Sequence, residues 1–231
     1  MKTIGMLGGM SWESTAIYYK LLNRGAQACL GGVASAKLLL HSFDFGEIAH
    51  LQQTAQWDEG NRRMAEAAKN LERAGAGLVI MCCNTMHCAT PDIEAALTIP
   101  FLHIADPLGA AIAAAGMTRV GLLGSRHTME QDGIVLGRLR DRYGLDVIVP
   151  EGDDFIETNR VIYDELIRGK FLDASRDRQR GVIARLVARG AQGVILGCTE
   201  LPILIRAEDA AVPLFDTTTL HATAALDAAL S

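Results

Sequence analysis

Two cysteines lie at the ends of similar apolar stretches. Residues 78–87 read LVIMCCNTMH, and residues 193–201 read GVILGCTEL. Aligning the two stretches places Cys83, and not Cys82, opposite Cys198. A thiolate is the reactive form of cysteine, and a nearby helix N-terminus lowers the pKa of a thiol. Because residues that favour helix starts follow both thiols, the pattern indicates a pair of reactive groups rather than two incidental cysteines.

The chain segments that lead to these cysteines are also similar. LERAGA starts at residue 71 and LVARGA at residue 186, at the same offset of 115 residues that separates the two cysteines. TIGMLGGM (3–10) and RVGLLGSR (119–126) resemble each other at an offset of 116 residues. Solenoid repeats are shorter, with periods of about 20–50 residues. The offset therefore predicts two related half-proteins, each with a helix, a glycine stop, a buried strand and a thiol.

Other roles for the cysteines are less consistent with the pattern. A lone cysteine at a strand end is more often a small buried hydrophobe, but matching positions in a repeat favour function. Cys82, Cys83, His87 and Cys88 include metal-ligand types. Structural zinc sites use spaced pairs, however, and adjacent cysteines on a strand point to opposite faces. We therefore expect Cys82 in the core and no metal site. No histidine triad supports a Cys–His hydrolase.

Polar residues follow each thiol. Asn84 and Thr85 follow the first, and Thr199 and Glu200 follow the second. At helix starts their donors would suit a carboxylate, although the same residues cap helices without any ligand. Glu165 lies on a predicted helix, where its spacing alone favours an ordinary solvated carboxylate.

The predicted elements place both thiols at one kind of sheet edge. Strands and helices alternate along the chain, and the strands are apolar without a period of two, which favours an α/β fold with buried parallel sheets. In such sheets ligands bind beyond the carboxyl ends of the strands. Continuous helices are predicted over 128–143 and 155–168. Two domains are expected, one formed by 1–99 plus 210–231 and the other by 100–209.

Composition narrows the function classes. The chain has 231 residues, of which 49% are hydrophobic, and a net charge of −5. Such a balance is typical of a folded globular protein and does not favour a nucleic-acid partner. Neither a secretory signal nor an apolar run of membrane-spanning length is apparent. With five cysteines, an odd count, we expect free thiols and a cytoplasmic location.

Four motifs together resemble the aspartate/glutamate racemase family, whose members racemise amino acids without a cofactor. They are LGGMSWEST (7–15), CNTMH (83–87), MEQD (129–132) and GCTE (197–200). The resemblance runs through nearly the whole chain. Glu200 after the second Cys-Thr is more similar to this family than to the peptidoglycan glutamate racemases, which have His there. The resemblance implies two pseudo-symmetric α/β domains with the site in the cleft between them.

The resemblance also implies residue roles. Cys83 and Cys198 would be the acid–base pair on opposite faces of the α-carbon. The implied substrate-binding residues are Met10, Gln52, Asn84, Thr85, Glu165 and Thr199. Among these, Asn84, Thr85 and Thr199, which follow the two thiols, would hold the α-carboxylate. Glu165 would lie near the second thiol. Ser125 and Thr128 are further candidate donors.

Several alternatives stay open at this point. A hydantoin racemase or a maleate cis–trans isomerase is the nearest rival, and a non-catalytic small-ligand binder is a third. A related decarboxylase would keep only one thiol. Some one-directional relatives have Thr at the position of Cys83, so its presence implies interconversion in both directions. Relatives differ in the side chains that they accept. No cofactor, no membrane partner and a homodimer are expected.

Overall fold

The computed structural model describes residues 1–231 and contains two parallel sheets of four strands each. The first sheet consists of β1 (Ile4–Gly8), β2 (Leu38–Ser42), β3 (Leu78–Met81) and β4 (Phe101–Leu102). The second consists of β5 (Arg119–Gly124), β6 (Asp146–Ile148), β7 (Val194–Gly197) and β8 (Leu214–Asp216). The strand orders are β2-β1-β3-β4 and β6-β5-β7-β8. Because the two orders correspond strand by strand, the predicted parallel α/β fold and its duplication are confirmed.

Helices connect the strands, as parallel pairing requires. In the first half they are α1 (Trp12–Leu30), α2 (Phe45–Gln53), α3 (Trp57–Arg73) and α4 (Thr90–Ala96). The others are α5 (Ala105–Ala114), α6 (Arg126–Glu130), α7 (Gly137–Tyr143), α8 (Asp153–Arg160), α9 (Asp173–Ala188), α10 (Leu201–Leu204) and α11 (Thr217–Leu230). None of them combines the length and apolarity that a bilayer span requires.

The chain forms two compact units, each built on one sheet. The first unit contains Met1–Ile104 and His221–Ser231, and the second contains Ala105–Leu220. Strand pairing assigns β4 to the first sheet and β8 to the second. In the first sheet the edge strand β4 follows Cys83 in the chain, and in the second sheet the edge strand β8 follows Cys198. The division at residues 99/100 and 209/210 stays a prediction.

The core of the first unit shows why α3 and β3 form. Met64, Ala68 and Leu71 are buried at helical spacing on one face of α3. They share a cluster with Val79 and Met81 of β3. Complete burial of such a side chain contributes roughly 1.5–3 kcal/mol. After α3, Gly75 has a φ of 99°, which ends the helix and turns the chain into β3.

The second unit repeats this arrangement. Val182 and Leu186 of α9 pack in one cluster with Val194 and Leu196 of β7. Gly190, with a φ of 96°, separates the helix from the strand as Gly75 does in the first unit. The predicted order of helix, glycine, buried strand and cysteine is therefore confirmed in both halves.

The helix predicted over 128–143 is interrupted at Gln131, so its continuity was wrong, whereas the helix predicted over 155–168 is continuous but changes its winding. A π-helical turn, Asp132–Leu136, separates α6 from α7. A second one, Val161–Glu165, continues α8. A π turn inserts about one extra residue into the helix, and apolar spacing alone does not reveal such an insertion. The sequence prediction also left out α2, which Asp44 caps by accepting a hydrogen bond from Gly46 N at 2.8 Å.

Candidate functional site

Cys83 lies just beyond the carboxyl end of β3. Cys82 N donates to Leu7 O at 2.9 Å, and the Cys82 side chain is fully buried. Burial raises the pKa of the Cys82 thiol well above its usual value. Cys83 is only half-buried, and a 3₁₀ turn, Thr85–Ala89, follows it. The expectation that Cys82 belongs to the core is confirmed.

Both ring nitrogens of His87 contact backbone groups around this turn. The distance from Nδ1 to Cys83 O is 2.8 Å, and Ile104 N donates to Nε2 at 3.2 Å. No cluster of histidine, cysteine, aspartate and glutamate side chains is arranged to hold a metal ion. His87 is thus placed to fix the backbone of Cys83.

The turn after β1 lies at the same edge of the first sheet. Gly9 has a φ of 87°, and a Cβ there would lie 2.2 Å from Phe43 O, so a side chain has no room. Gly9 N donates to Thr15 Oγ1 at 2.8 Å, and Ser11 caps α1. This close approach positions the next residue, Met10, which is 4% exposed.

The predicted first-unit residues are gathered around this edge. Met10 and Met86 belong to one core cluster, against which Cys83 packs. Gln52 on α2 donates its Nε2 to Met86 Sδ at 3.3 Å, which ties α2 to the cysteine turn. Asn84 and Thr85, directly after the thiol, are both buried. The structure therefore brings Met10, Gln52, Asn84 and Thr85 to the Cys83 side of the first sheet.

Cys198 follows β7, whose last residue is Gly197. A Cβ on Gly197 would lie 2.6 Å from Leu122 Cδ1, so glycine allows β5 and β7 to pack closely here. The Cys198 thiol donates to Glu200 Oε2 at 3.1 Å, and Thr199 Oγ1 donates to the same oxygen at 2.7 Å. Glu200 is 2% exposed. A thiol and a buried carboxylate in direct contact can exchange a proton without an intervening water.

Glu200 as the partner of the thiol is the residue that sequence reasoning missed. The sequence places Glu200 only as a polar residue near a helix start. The signal was its position two residues after Cys198. Which atom that carboxylate would meet depends on the turn that follows the strand.

Ser125 and Thr128 lie beyond β5, the neighbour of β7 in the second sheet. Ser125 caps α6 by accepting from Thr128 N at 3.4 Å, and the two hydroxyl oxygens are 3.0 Å apart. Ser11 caps α1 at the corresponding place in the first unit. These hydroxyls thus organise the helix start at the carboxyl edge of the second sheet.

Glu165 lies in the π turn after α8, where other side chains hold its carboxylate. Arg160 Nη1 donates to Oε1 at 2.9 Å, and Ser175 Oγ donates to Oε2 at 2.5 Å. Arg160 also binds Glu157, and this contact is the main cause of the pKa of Glu157 falling to about 2. Glu165 therefore joins α8 to α9, and its role towards a substrate stays a prediction.

The duplicated sheets, each ending in a cysteine with polar residues after it, match a known family. The sequence pattern of the Asp/Glu/Hydantoin racemase family covers residues 7–225. The chain belongs to this family. A candidate Asp/Glu racemase from Yersinia pestis is 48% identical to it, with full coverage of both chains and a TM-score of 0.93. An aspartate racemase homologue from Pyrococcus horikoshii is 33% identical, with full coverage of both chains and a TM-score of 0.86.

Among curated relatives of this racemase-family chain is the glutamate racemase of Thermus thermophilus. It is 31% identical over 109 residues, which are 44% of this chain. The match spans 42% of the length of that relative. Because this match is partial, membership of the family rests on the full-length similarities described above.

Proposed function

We propose that the chain is a cofactor-independent amino-acid racemase that inverts the α-carbon by proton transfer to and from Cys83 and Cys198. The observation that carries the proposal is the matched position of the two thiols. Each follows the corresponding strand of a duplicated sheet, β3 or β7. In parallel α/β sheets this edge is where ligands bind. Aspartate, glutamate or a broader amino-acid set is the proposed substrate class.

The reaction requires two thiols in opposite protonation states. One thiolate removes the α-proton and becomes a thiol, which leaves a carbanion. The other thiol donates its proton to the opposite face of that carbon and becomes a thiolate. Atoms and charge balance, and the reverse reaction exchanges the two roles. Both enantiomers are therefore substrates.

Because no cofactor delocalises the carbanion in this scheme, fixed hydrogen-bond donors must stabilise its negative charge. Asn84, Thr85 and Thr199 directly follow the thiols and are buried. Preorganised donors in a site that excludes water stabilise developing charge more strongly than water does. We assign these three residues to the α-carboxylate of the substrate, with Met10 and Gln52 lining the first-unit side.

Glu200 is assigned to proton handling at Cys198. Cys198 Sγ lies 3.1 Å from Glu200 Oε2, so a proton held by the sulfur is directed at the carboxylate. A carboxylate beside the sulfur disfavours a thiolate by like-charge repulsion, which suits a proton donor. If the carboxylate accepts that proton, the sulfur becomes the base. Glu200 therefore allows Cys198 to serve in both directions.

Replacement of each thiol tests the proposal. Cys83→Ser and Cys198→Ser should each lower racemisation of aspartate, glutamate and a panel of neutral and basic amino acids at least 1,000-fold, measured by chiral chromatography. Cys29→Ser is the matched control, because Cys29 is exposed on α1 and should leave the rate unchanged. Full turnover in either active-site variant would contradict the two-thiol mechanism.

Adding a 5-substituted hydantoin and maleate to this panel separates the rival functions. Turnover of a 5-substituted hydantoin or of maleate, with no amino acid turned over, would replace the proposal with one of the related isomerases. Binding of an amino acid without any α-proton exchange would identify a non-catalytic binder. Neither result is compatible with amino-acid racemisation.

We further propose that the protein is a homodimer, as the resemblance to aspartate/glutamate racemases implies. Light scattering coupled to size exclusion should give twice the chain mass of 24.8 kDa. A mass of one chain at micromolar concentration would contradict a dimer.

A further inference from the structure

Three histidines and a tyrosine form a buried cluster inside the first unit. His87 and His221 are fully buried, as is Tyr18, and His103 is 2% exposed. The ring centroid of His87 lies 4.5 Å from that of His103 and 5.9 Å from that of His221. Buried polar groups are costly unless their hydrogen bonds are made. The hydrogen bonds of His87 and His221 therefore indicate how their rings are protonated.

The two bonds of His87 fix its tautomer. Cys83 O can only accept a hydrogen bond, so the Nδ1 atom at 2.8 Å must carry the proton. Ile104 N can only donate, so Nε2 at 3.2 Å must be the unprotonated acceptor. The ring is therefore neutral. In agreement, burial first, and then His103 and His221, hold the pKa of His87 well below its usual value.

In its neutral form His221 has the opposite tautomer. Its Nε2 lies 2.9 Å from Leu102 O, an acceptor, so Nε2 carries the proton. Nδ1 then accepts from the Tyr18 hydroxyl at 2.8 Å. The end of β4 is thus held by two imidazoles, one donating to Leu102 and the other accepting from Ile104.

We propose that neutral His87 is a positioning residue for Cys83. Its Nδ1–H fixes the carbonyl of the thiol-bearing residue, while Nε2 joins that residue to the held end of β4. His87 contacts the backbone carbonyl of Cys83. A displacement of about 1 Å at a reacting group can lower a rate by about 100-fold, so fixing this peptide affects the chemical step. The inference rests on the proposed function, because it assumes that Cys83 is the acid–base residue.

The tautomers can be measured without any turnover. Two-bond ¹H–¹⁵N correlation spectra of the labelled wild-type protein at pH 7.5 distinguish Nδ1–H from Nε2–H histidines. His87→Asn and His221→Asn assign the two signals. We expect an Nδ1–H pattern for His87 and an Nε2–H pattern for His221. An Nε2–H or charged His87 would overturn the proposal.

Three variants separate positioning from simple support of the core. Asn at position 87 places its side-chain N–H close to where Nδ1–H is, so His87→Asn should keep kcat within fivefold. His87→Gln reaches towards Ile104 instead, and His87→Ala makes neither bond. Both should lower kcat about 10- to 100-fold with KM within threefold. Tyr18→Phe is the matched control, because it removes a hydrogen bond in the same core without touching Cys83.

Exchange in D₂O shows which thiol is affected. Cys83→Ser identifies the enantiomer whose α-proton is removed by Cys83, since its exchange is lost. With Cys198 replaced by Ser, so that only Cys83 exchanges the α-proton, His87→Gln should slow this exchange at least tenfold. With Cys83 replaced by Ser, His87→Gln should leave the exchange by Cys198 within threefold. Tyr18→Phe should slow neither. Equal slowing of the two single-thiol exchanges, or no rescue by His87→Asn, would overturn the positioning role.

Failure of the inference and failure of the proposed function give different results. If the cysteine variants stay active, the racemase mechanism fails whatever His87 does. If they are inactive while His87→Gln keeps the wild-type kcat, only the positioning role fails. His87→Asn and the wild-type spectra keep the inference falsifiable if His87→Ala does not fold.

Discussion

The two proposed acid–base residues have different surroundings, although they occupy corresponding positions. Cys198 donates its thiol hydrogen to a buried carboxylate, Glu200. At Cys83 the partner is a neutral imidazole, His87, which donates to the backbone carbonyl of Cys83. The alignment of the two stretches was sufficient to predict the thiols. It was not sufficient for these partners, because they depend on how a turn of two to four residues folds after each strand.

Removal of the charge on Glu200 should slow the reaction. Glu200→Gln still offers an oxygen to the Cys198 thiol but cannot take its proton. We expect kcat to fall about 100-fold with KM within threefold, because general acid–base groups contribute about 10²- to 10⁴-fold. The measurement is racemisation followed by circular dichroism.

Glu208→Gln serves as the control for Glu200→Gln. Glu208 is exposed and pairs only with surface arginines, so its replacement should leave kcat unchanged. Wild-type kcat in Glu200→Gln would show that the carboxylate has no part in proton transfer.

Burial of neutral His87 should make stability depend on pH. The pKa of His87 is lowered in the folded state by burial and then by His103 and His221. Above about pH 6.5 neither state binds a proton at this ring, and below it only the unfolded chain does. The free energy of unfolding should therefore fall as the pH drops, by up to about 1.4 kcal/mol per pH unit.

Urea unfolding between pH 5 and pH 7.5 measures this slope. His87→Asn should have a shallower dependence than the wild type, because Asn does not titrate. Parallel curves for the two proteins would contradict a neutral His87 in the folded state.

At the scale of elements, the sequence predicted helices and strands reliably where apolar residues mark one buried face. The apolar stripe of α3 and the glycine after it predicted both the helix and its end. The π turns 132–136 and 161–165 were not predicted, because each shifts the apolar spacing by about one residue within a segment of few turns. The capped helix α2 was missed, although Asp44 before it is a recognisable start signal.

The turn after β1 provides a test of close backbone approach. Gly9→Ala should destabilise the protein by about 3 kcal/mol or more, because a Cβ would meet Phe43 O at 2.2 Å in addition to the strain of a positive φ. Gly75→Ala is the matched control. Its φ of 99° gives the strain alone, since nothing lies within 4 Å of its Cβ.

Urea titration of the two glycine variants separates the two effects. The control should lose about 1–2 kcal/mol, the cost of a left-handed conformation for a residue with a Cβ. Equal losses in Gly9→Ala and Gly75→Ala would contradict a steric role for the turn beside Met10.

At the scale of the whole molecule, the offset of about 115 residues correctly predicted two sheets of one design. Repetition along a chain is a strong signal because every element of a half must recur in order. The unit limits are harder to predict, since β4 and β8 are short strands whose sheet depends on pairing with β3 and β7. Local apolar patterning does not indicate which sheet such a strand joins.

The proposed chemistry should not depend on a metal. No cluster of potential ligands is arranged to bind one, and both nitrogens of His87 contact backbone groups. Dialysis against EDTA should leave the racemisation rate within twofold of the untreated enzyme. A loss that added zinc or magnesium restores would show that the site uses a metal.

Hydrogen exchange at the α-carbon tests the central claim most directly. Each enantiomer of the accepted amino acid is incubated with the wild-type enzyme in D₂O, and the reaction is followed by ¹H NMR and chiral chromatography during the first tenth of conversion. Two thiols on opposite faces predict that the inverted product carries deuterium at the α-carbon while the recovered substrate keeps its hydrogen, in both directions. Product that retains the substrate hydrogen, or deuterium appearing equally in recovered substrate and product, would contradict the account.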